Sequence, residues 1–242
     1  MNRSQNLCFA FIAYCVAAAT SAQASIHNVV SDFSGAANPN GPYSYGYYSG
    51  LTFQKTVLSS NGSDFSAHHN SNGPYITWTA FDRPSWLSGY WPSNVLLFDP
   101  SLSGLYTVLR FSAPAADAYG IAGYFLGLDT ATTSVSVIAN AFTPDQSVLF
   151  SDFINGRGNV KAFSTSQYLN QGATLDFVVG SNGNVYFDAT GLAATITSQS
   201  SAVPIPSTHL LFGSAIIGLF GFKWKPGKGP GSSSFPEKGI RA

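Results

Sequence analysis

Few residues in this 242-residue chain have the type and spacing to do chemistry. Between Ser25 and Ala202 the acids are ten aspartates and no glutamate, so glycoside cleavage by a carboxylate pair would have to set Asp against Asp. Asp82, Asp99, Asp129, Asp152 and Asp188 stand beside turn residues, where an aspartate ordinarily accepts hydrogen bonds from nearby backbone. A calcium ion held by loop carboxylates would be sought first at Asp129 and Asp188, but no ligand spacing around them supports one. His68 and His69 are adjacent in "DFSAHHNSNGPY"; on an extended chain neighbours point to opposite faces and seldom share an ion. HExxH, EF-hand and DxD patterns do not occur in the sequence. Ser214 follows Gly213 inside an apolar run and lacks the elbow of a hydrolase nucleophile. Cys8 and Cys15 both fall in the first 24 residues, which leaves the body without thiol chemistry or disulfides. These patterns assign no catalytic residue, no metal and no cofactor.

Aromatic rings are the stronger signal. "FDRPSWLSGYWPSN" places Trp86, Tyr90 and Trp91 on a segment broken by Pro84, Gly89 and Pro92. Rings on such a loop offer flat apolar faces with polar edges, suited to stacking on the C–H faces of sugars. Trp86, Tyr90 and Trp91 are therefore the candidate ligand-binding residues, against the alternative that they plug one end of the fold. "GPYSYGYYSG" sets Tyr43, Tyr45 and Tyr47 at period two, on one face if the segment is a strand.

The elements that must position these residues read as β-structure. In "YITWTAF" Ile76 and Trp78 alternate with Thr77 and Thr79; in "GLYTVLRFSAP" Leu109 and Phe111 alternate with Tyr106 and Arg110. Val135 with Val137, and Leu175 with Phe177, repeat the pattern. Turn pairs punctuate it at Asn61-Gly62, Asn155-Gly156, Asn182-Gly183 and Thr190-Gly191. The expected fold is all-β, one antiparallel, jelly-roll-like sandwich over residues 25–198, loopier up to about Gly104. The body carries ten Asp against five basic residues, a net −5, which argues against a nucleic-acid partner.

Both ends carry processing signals. Arg3, an apolar run from Leu7 to Ala19, and small residues at Ala22 and Ala24 make residues 1–24 a secretory signal peptide cut after Ala24. Near the other end, Pro204 and Pro206 force an extended entry into an apolar run from Leu210 to Phe222. Residues 208–224 form the expected membrane helix; Ser207 to Lys225 would reach roughly 28 Å if helical, close to a hydrocarbon core of about 30 Å. Trp224 would sit at the interface, with Lys223 and Lys225 as stop-transfer charges on the cytoplasmic side. Residues 226–242 form a basic tail expected to be disordered.

This order of parts, from Val203 to Lys225, resembles the PEP-CTERM sorting domain of Gram-negative bacteria. The resemblance implies that Val203-Pro204-Ile205-Pro206, within the sorting tail 199–225, is read by an exosortase-type membrane protease. It also implies an association with exopolysaccharide-producing, biofilm-forming cells. Ile205 stands where the family usually has Glu, similar to "VPLP" variants, and seventeen residues follow Lys225 where the family usually stops. In the body, "NPNGPYSYGYYSG", "LRFSAPAADAYGIAGYFLGLDTATTSVSVIAN" and "LDFVVGSNGNVYFDATGLAATIT" are similar to β-sandwich segments resembling carbohydrate-binding modules. The expectation is a non-catalytic protein exported through the inner membrane and transiently anchored there by its C-terminal helix. It would end at the cell surface or in the extracellular matrix, with an extracellular polysaccharide as partner. The alternatives are a matrix protein with no sugar site and, third, a secreted glycan-active enzyme.

Overall fold

Period-two alternation of Val, Ile, Phe, Tyr and Thr becomes strands throughout the computed structural model, which describes residues 24–61, 64–68, 73–79, 82–84, 90–100, 105–184 and 186–199. Alternating side chains give each strand one apolar face, and two sheets bury those faces against each other.

The larger sheet runs in the order β14 (Val160–Leu169), β11 (Asp117–Gly127), β16 (Thr190–Ser198), β9 (Leu96–Asp99), β6 (Tyr75–Thr79), β5 (Asp64–His68) and β4 (Val57–Asn61); β1 (Ile26–Asn28) also pairs with β16. The smaller sheet runs β13 (Ser147–Asn155), β12 (Thr132–Ala139), β15 (Thr174–Gly180), β10 (Tyr106–Ser112), β2 (Tyr43–Ser49) and β3 (Thr52–Lys55). A two-residue ladder joins β7 (Arg83–Pro84) to β8 (Tyr90–Trp91). Every ladder is antiparallel, and the described residues contain no α-helix. Ala22–Ser201 make one compact unit.

Contacts across the interior define the sandwich. Phe111 of the smaller sheet meets Tyr119 of the larger edge-on at 5.7 Å, and Phe125 stacks on Phe150 at 6.2 Å. The hydroxyls of Thr133 and Thr190 bond across the two sheets at 2.7 Å. Ile76, Leu109, Phe111, Val135, Val137, Leu175 and Phe177 all lie in the shared core, on the faces that their alternation indicates. Each large side chain so buried stabilises the fold by about 1.5–3 kcal/mol before chain entropy is set against it.

One expectation, a turn at Thr190-Gly191, is corrected. Before Gly104 the described strands β1 to β9 are mostly shorter than those that follow, and β2 sits inside the smaller sheet between β10 and β3. Its tyrosines explain why, since Tyr43 and Tyr45 are buried at 1% and 0% exposure. Thr190-Gly191 is no turn but the start of β16. A Cβ at Gly191 would lie 3.0 Å from Val95 Cγ2, a contact that only a shift of the Val95 side chain would relieve. By contrast, Asn182-Gly183 does turn, with φ of 47° and 87° and Asn184 N–H donating to Ser181 O at 3.0 Å. It sends the chain from β15 in one sheet towards β16 in the other.

The signal-peptide residues before Ala24, the sorting motif Val203–Pro206, the expected membrane helix 208–224 with Lys223 and Lys225, and the tail 226–242 lie outside the described residues. Among the described residues no helix is long and apolar enough to cross a membrane.

Candidate ligand-binding groove

The two outer faces of the sandwich differ in what covers them. On the smaller sheet, Arg110 of β10 and Asp176 of β15 are cross-strand partners. Arg110 Nε donates to Asp176 Oδ1 at 2.8 Å and its terminal nitrogen donates to Oδ2 at 2.7 Å. Tyr48 Oη donates a third bond to Oδ2 at 2.7 Å. The Phe53 ring lies 4.3 Å from the Arg110 guanidinium carbon, and Tyr48 packs edge-on against Phe142 at 4.6 Å. Burial works against the Arg110 charge, yet Asp176 holds its pKa above the ordinary arginine value. Tyr48 is likewise pushed up, first by burial and then by the Asp176 charge. Aromatic side chains therefore seal this face over a satisfied ion pair.

On the larger sheet the outer face is covered beside β9 by the cluster around Trp91 and Leu97, but is open over the region of β14, β11 and β16 farther along. On β14 the outward residues include Ser164 and Ser166, on β11 Gly120 and Ala122, and on β16 Thr195 and Thr197. Register places them in two rows, Ser166–Gly120–Thr197 and Ser164–Ala122–Thr195. Small residues on the middle strand thus make a floor, with hydroxyls on both sides. The result is a groove of about 470 Å³ lined by these residues with Ile121, Thr165 and Gln199, and no charged side chain is among them. Among the described residues, no other protein group hydrogen-bonds the hydroxyls of Ser164, Ser166, Thr195 or Thr197. Tyr168, two residues past Ser166 on the same face, is 61% exposed. At the opposite end Tyr124, partnered by Asn94 Nδ2 at 3.4 Å, follows Ala122 on that face. From Ala118 to Tyr124 the floor strand extends about 20 Å.

The residues singled out in the sequence lie elsewhere. Trp91 is 2% exposed and packs with Val95, Leu97, Leu128 and Ala189, so its ring is built into a satellite core and presents no stacking face. Tyr90 pairs through its backbone with Pro84, and Trp86 lies outside the described residues. Trp78 packs against the main core, and its indole N–H donates to Ser93 O at 3.2 Å. His68 is on β5, and His69 lies outside the described residues.

The aspartates separate by role. Asp82 ties down the backbone and hydroxyl of Ser93 at 2.6 and 2.7 Å, and Asp152 pairs with Lys161 at 3.0 Å. Tyr75 Oη donates to Asp99 at 2.8 Å; burial chiefly, with the Asp129 charge, still lifts Asp99 to about 6. Burial, then the charges of Asp99 and Asp129, lift Asp188 to about 7. None of these carboxylates lines the groove. The groove residues did leave a trace in the sequence, Ser/Thr at period two in "FSTSQY" and "AATITSQ", but nothing local indicates that these segments flank a common strand.

No family model matches the chain, and no curated protein matches it. Among solved structures it is similar to a family 29 carbohydrate-binding module at 10% identity and TM-score 0.35, over 75% of this chain and 92% of that one. It is also similar to TmCBM61 in complex with β-1,4-galactotriose, at 9% identity and TM-score 0.32, over 64% and 87% of the two chains. A third match is the enzymatically active domain of tailspike protein 4 of bacteriophage CBA120, at 11% identity and TM-score 0.31, over 65% of this chain. The match spans 19% of the tailspike chain, and 22% of a Clostridium thermocellum xylanase 10B carrying CBM22-1 and GH10 modules. Similarity at this level places the chain in none of these families.

Proposed function

We propose that this is a non-catalytic exported protein that binds a neutral polysaccharide along the β14–β11–β16 groove. The lining of that groove carries the reading: hydroxyls and one amide, no charge, a floor of Gly120 and Ala122, and an exposed tyrosine alongside. Serine and threonine hydroxyls exchange hydrogen bonds with sugar hydroxyls, and a tyrosine ring stacks on sugar C–H faces. An acidic polymer would find no cation in the groove and would meet a body of net charge −5. The test is binding of the purified protein to neutral and acidic polysaccharides, with Ala122→Leu to fill the groove and Tyr168→Ala to remove the ring. Saturable binding to a neutral polymer, lost in both variants, supports the proposal; equal binding by wild type and Ala122→Leu defeats it.

Export and sorting belong to the same proposal and rest on the resemblance of the ends. An exosortase-type protease would read Val203-Pro204-Ile205-Pro206 while Lys223 and Lys225 hold the tail in the membrane. The released protein would then join the cell surface or the exopolysaccharide matrix. Mass spectrometry of the mature C-terminus checks this, and an intact Lys225 on released protein would refute cleavage.

One observation favours a second reading, a matrix protein built by self-association. Val148 and Phe153 on β13, and Val160 on β14, are 49–56% exposed. These are the end strands of the two sheets, and unpaired edges invite pairing. Sedimentation across a concentration series separates the readings: association without glycan binding would favour the second.

A further inference from the structure

At one end of the sandwich the antiparallel ladder of β11 and β16 runs out into two loops. Thr190 is the partner of Gly127 in that ladder. Beyond it, Leu128 N–H donates to Ala189 O at 3.0 Å, and Ala131 N–H donates to Phe187 O at 2.8 Å. These bonds hold the loops side by side and set Asp129 across from Asp188. Both carboxylates are buried, at 2% and 3% exposure. Asp129 Oδ1 accepts from Thr130 N–H at 2.8 Å and lies 3.6 Å from the Arg157 guanidinium. Asp129 Oδ2 and Asp188 Oδ2 are buried with no hydrogen-bond partner.

Two buried carboxylates on adjoining loops, each with an unsatisfied oxygen, are costly. A buried polar atom without a partner gives up its hydration for nothing, and a charged one gives up more. Arg157 is 39% exposed and bonds the Leu128 carbonyl through Nε at 3.2 Å, so it screens one side of Asp129 only. The threonine pair on the interior side, Thr133 and Thr190, bond each other. Asp99, the third carboxylate of this end, is engaged by Tyr75 and adds negative potential.

We infer that Asp129 and Asp188 are the anionic half of a binding site for a hard divalent cation of the calcium class. Such ions take oxygen ligands from carboxylates, main-chain carbonyls and water in flexible geometry. Among the described residues no three acidic or histidine side chains converge as a metal cage; carbonyls of the same loops and water complete the shell. The ion neutralises the pair and pins the loop after β15, where Phe187 is held at φ 59° and Tyr186 and Phe187 are each 63% exposed. The site is structural and lies apart from the groove.

The experiment is isothermal titration of the metal-stripped full chain with calcium chloride at neutral pH, alongside thermal unfolding with calcium or with EDTA. One saturable site and a higher midpoint with calcium are expected. Asp188→Asn and Asp129→Asn should each weaken binding by roughly an order of magnitude or more, whereas Asp145→Asn, on an exposed loop, should leave it unchanged. Circular dichroism checks that the variants fold, and the wild-type titration stands without them. Absence of binding at millimolar calcium, with a midpoint raised only by acidification, would overturn the inference and assign the neutralising role to a proton.

Discussion

Asp176 lies beneath the outer face of the smaller sheet at 0% exposure, and Asp188 lies at one end of the larger sheet at 3%. The first accepts two bonds from Arg110 and one from Tyr48; the second keeps an oxygen with no partner. Burial alone therefore says little about a carboxylate. What matters is whether its partners are supplied by neighbouring strands, as for Asp176, or have to come from outside the chain. Asp176 sits mid-strand, where register brings β10 and β2 to it; Asp188 sits where the ladder ends.

The largest effect should follow from breaking the satisfied site. Asp176→Ala leaves the Arg110 guanidinium half-buried and unpaired, and should cost about 3–5 kcal/mol in denaturant unfolding. Replacing both partners, Arg110→Met with Asp176→Leu, should cost clearly less than Asp176→Ala alone, because no stranded charge remains. A double variant as unstable as the single one would show that packing of the Phe53–Tyr48 cover, rather than charge, sets the cost.

A smaller effect concerns pH. Asp99 titrates near 6 in the fold and near 3.9 in an unfolded chain. The folded state thus binds its proton more tightly, so stability falls as pH rises between about 4 and 6. Two pKa units correspond to at most about 3 kcal/mol, less what solvent screening removes. In chelator-containing buffer, Asp99→Asn should flatten that part of the midpoint-versus-pH curve; an unchanged slope would assign it to other groups. The smallest effect on stability should come from the groove. Ala122→Leu adds a side chain to an exposed outer face and should leave the unfolding midpoint within experimental error while abolishing glycan binding.

Much of the fold was legible because alternation is local. In "TTSVSVIANAF" the inward Val135 and Val137 can be read from period two alone, and the same holds for Leu175 and Phe177. Trp91 was legible only as a choice between a stacking face and a plug at one end of the fold: its neighbours Leu128 and Ala189 lie far away in the chain, so tertiary packing alone decides that the ring is buried. The groove was hidden for the same reason, since Ser166, Gly120 and Thr197 meet only through the pairing of β14, β11 and β16.

By itself the sequence determined that the body is antiparallel β-structure, which side of the strands around Ile76, Leu109, Val135 and Leu175 faces inward, that thiol chemistry is absent from it, and that its ends resemble export and sorting signals. Those properties depend on residue type and short spacing. The tertiary structure alone decided which face is sealed and which open, and which aspartates find partners. Those depend on strand order and register, fixed by side-chain packing between segments up to a hundred residues apart and more, as Tyr48 and Asp176 demonstrate.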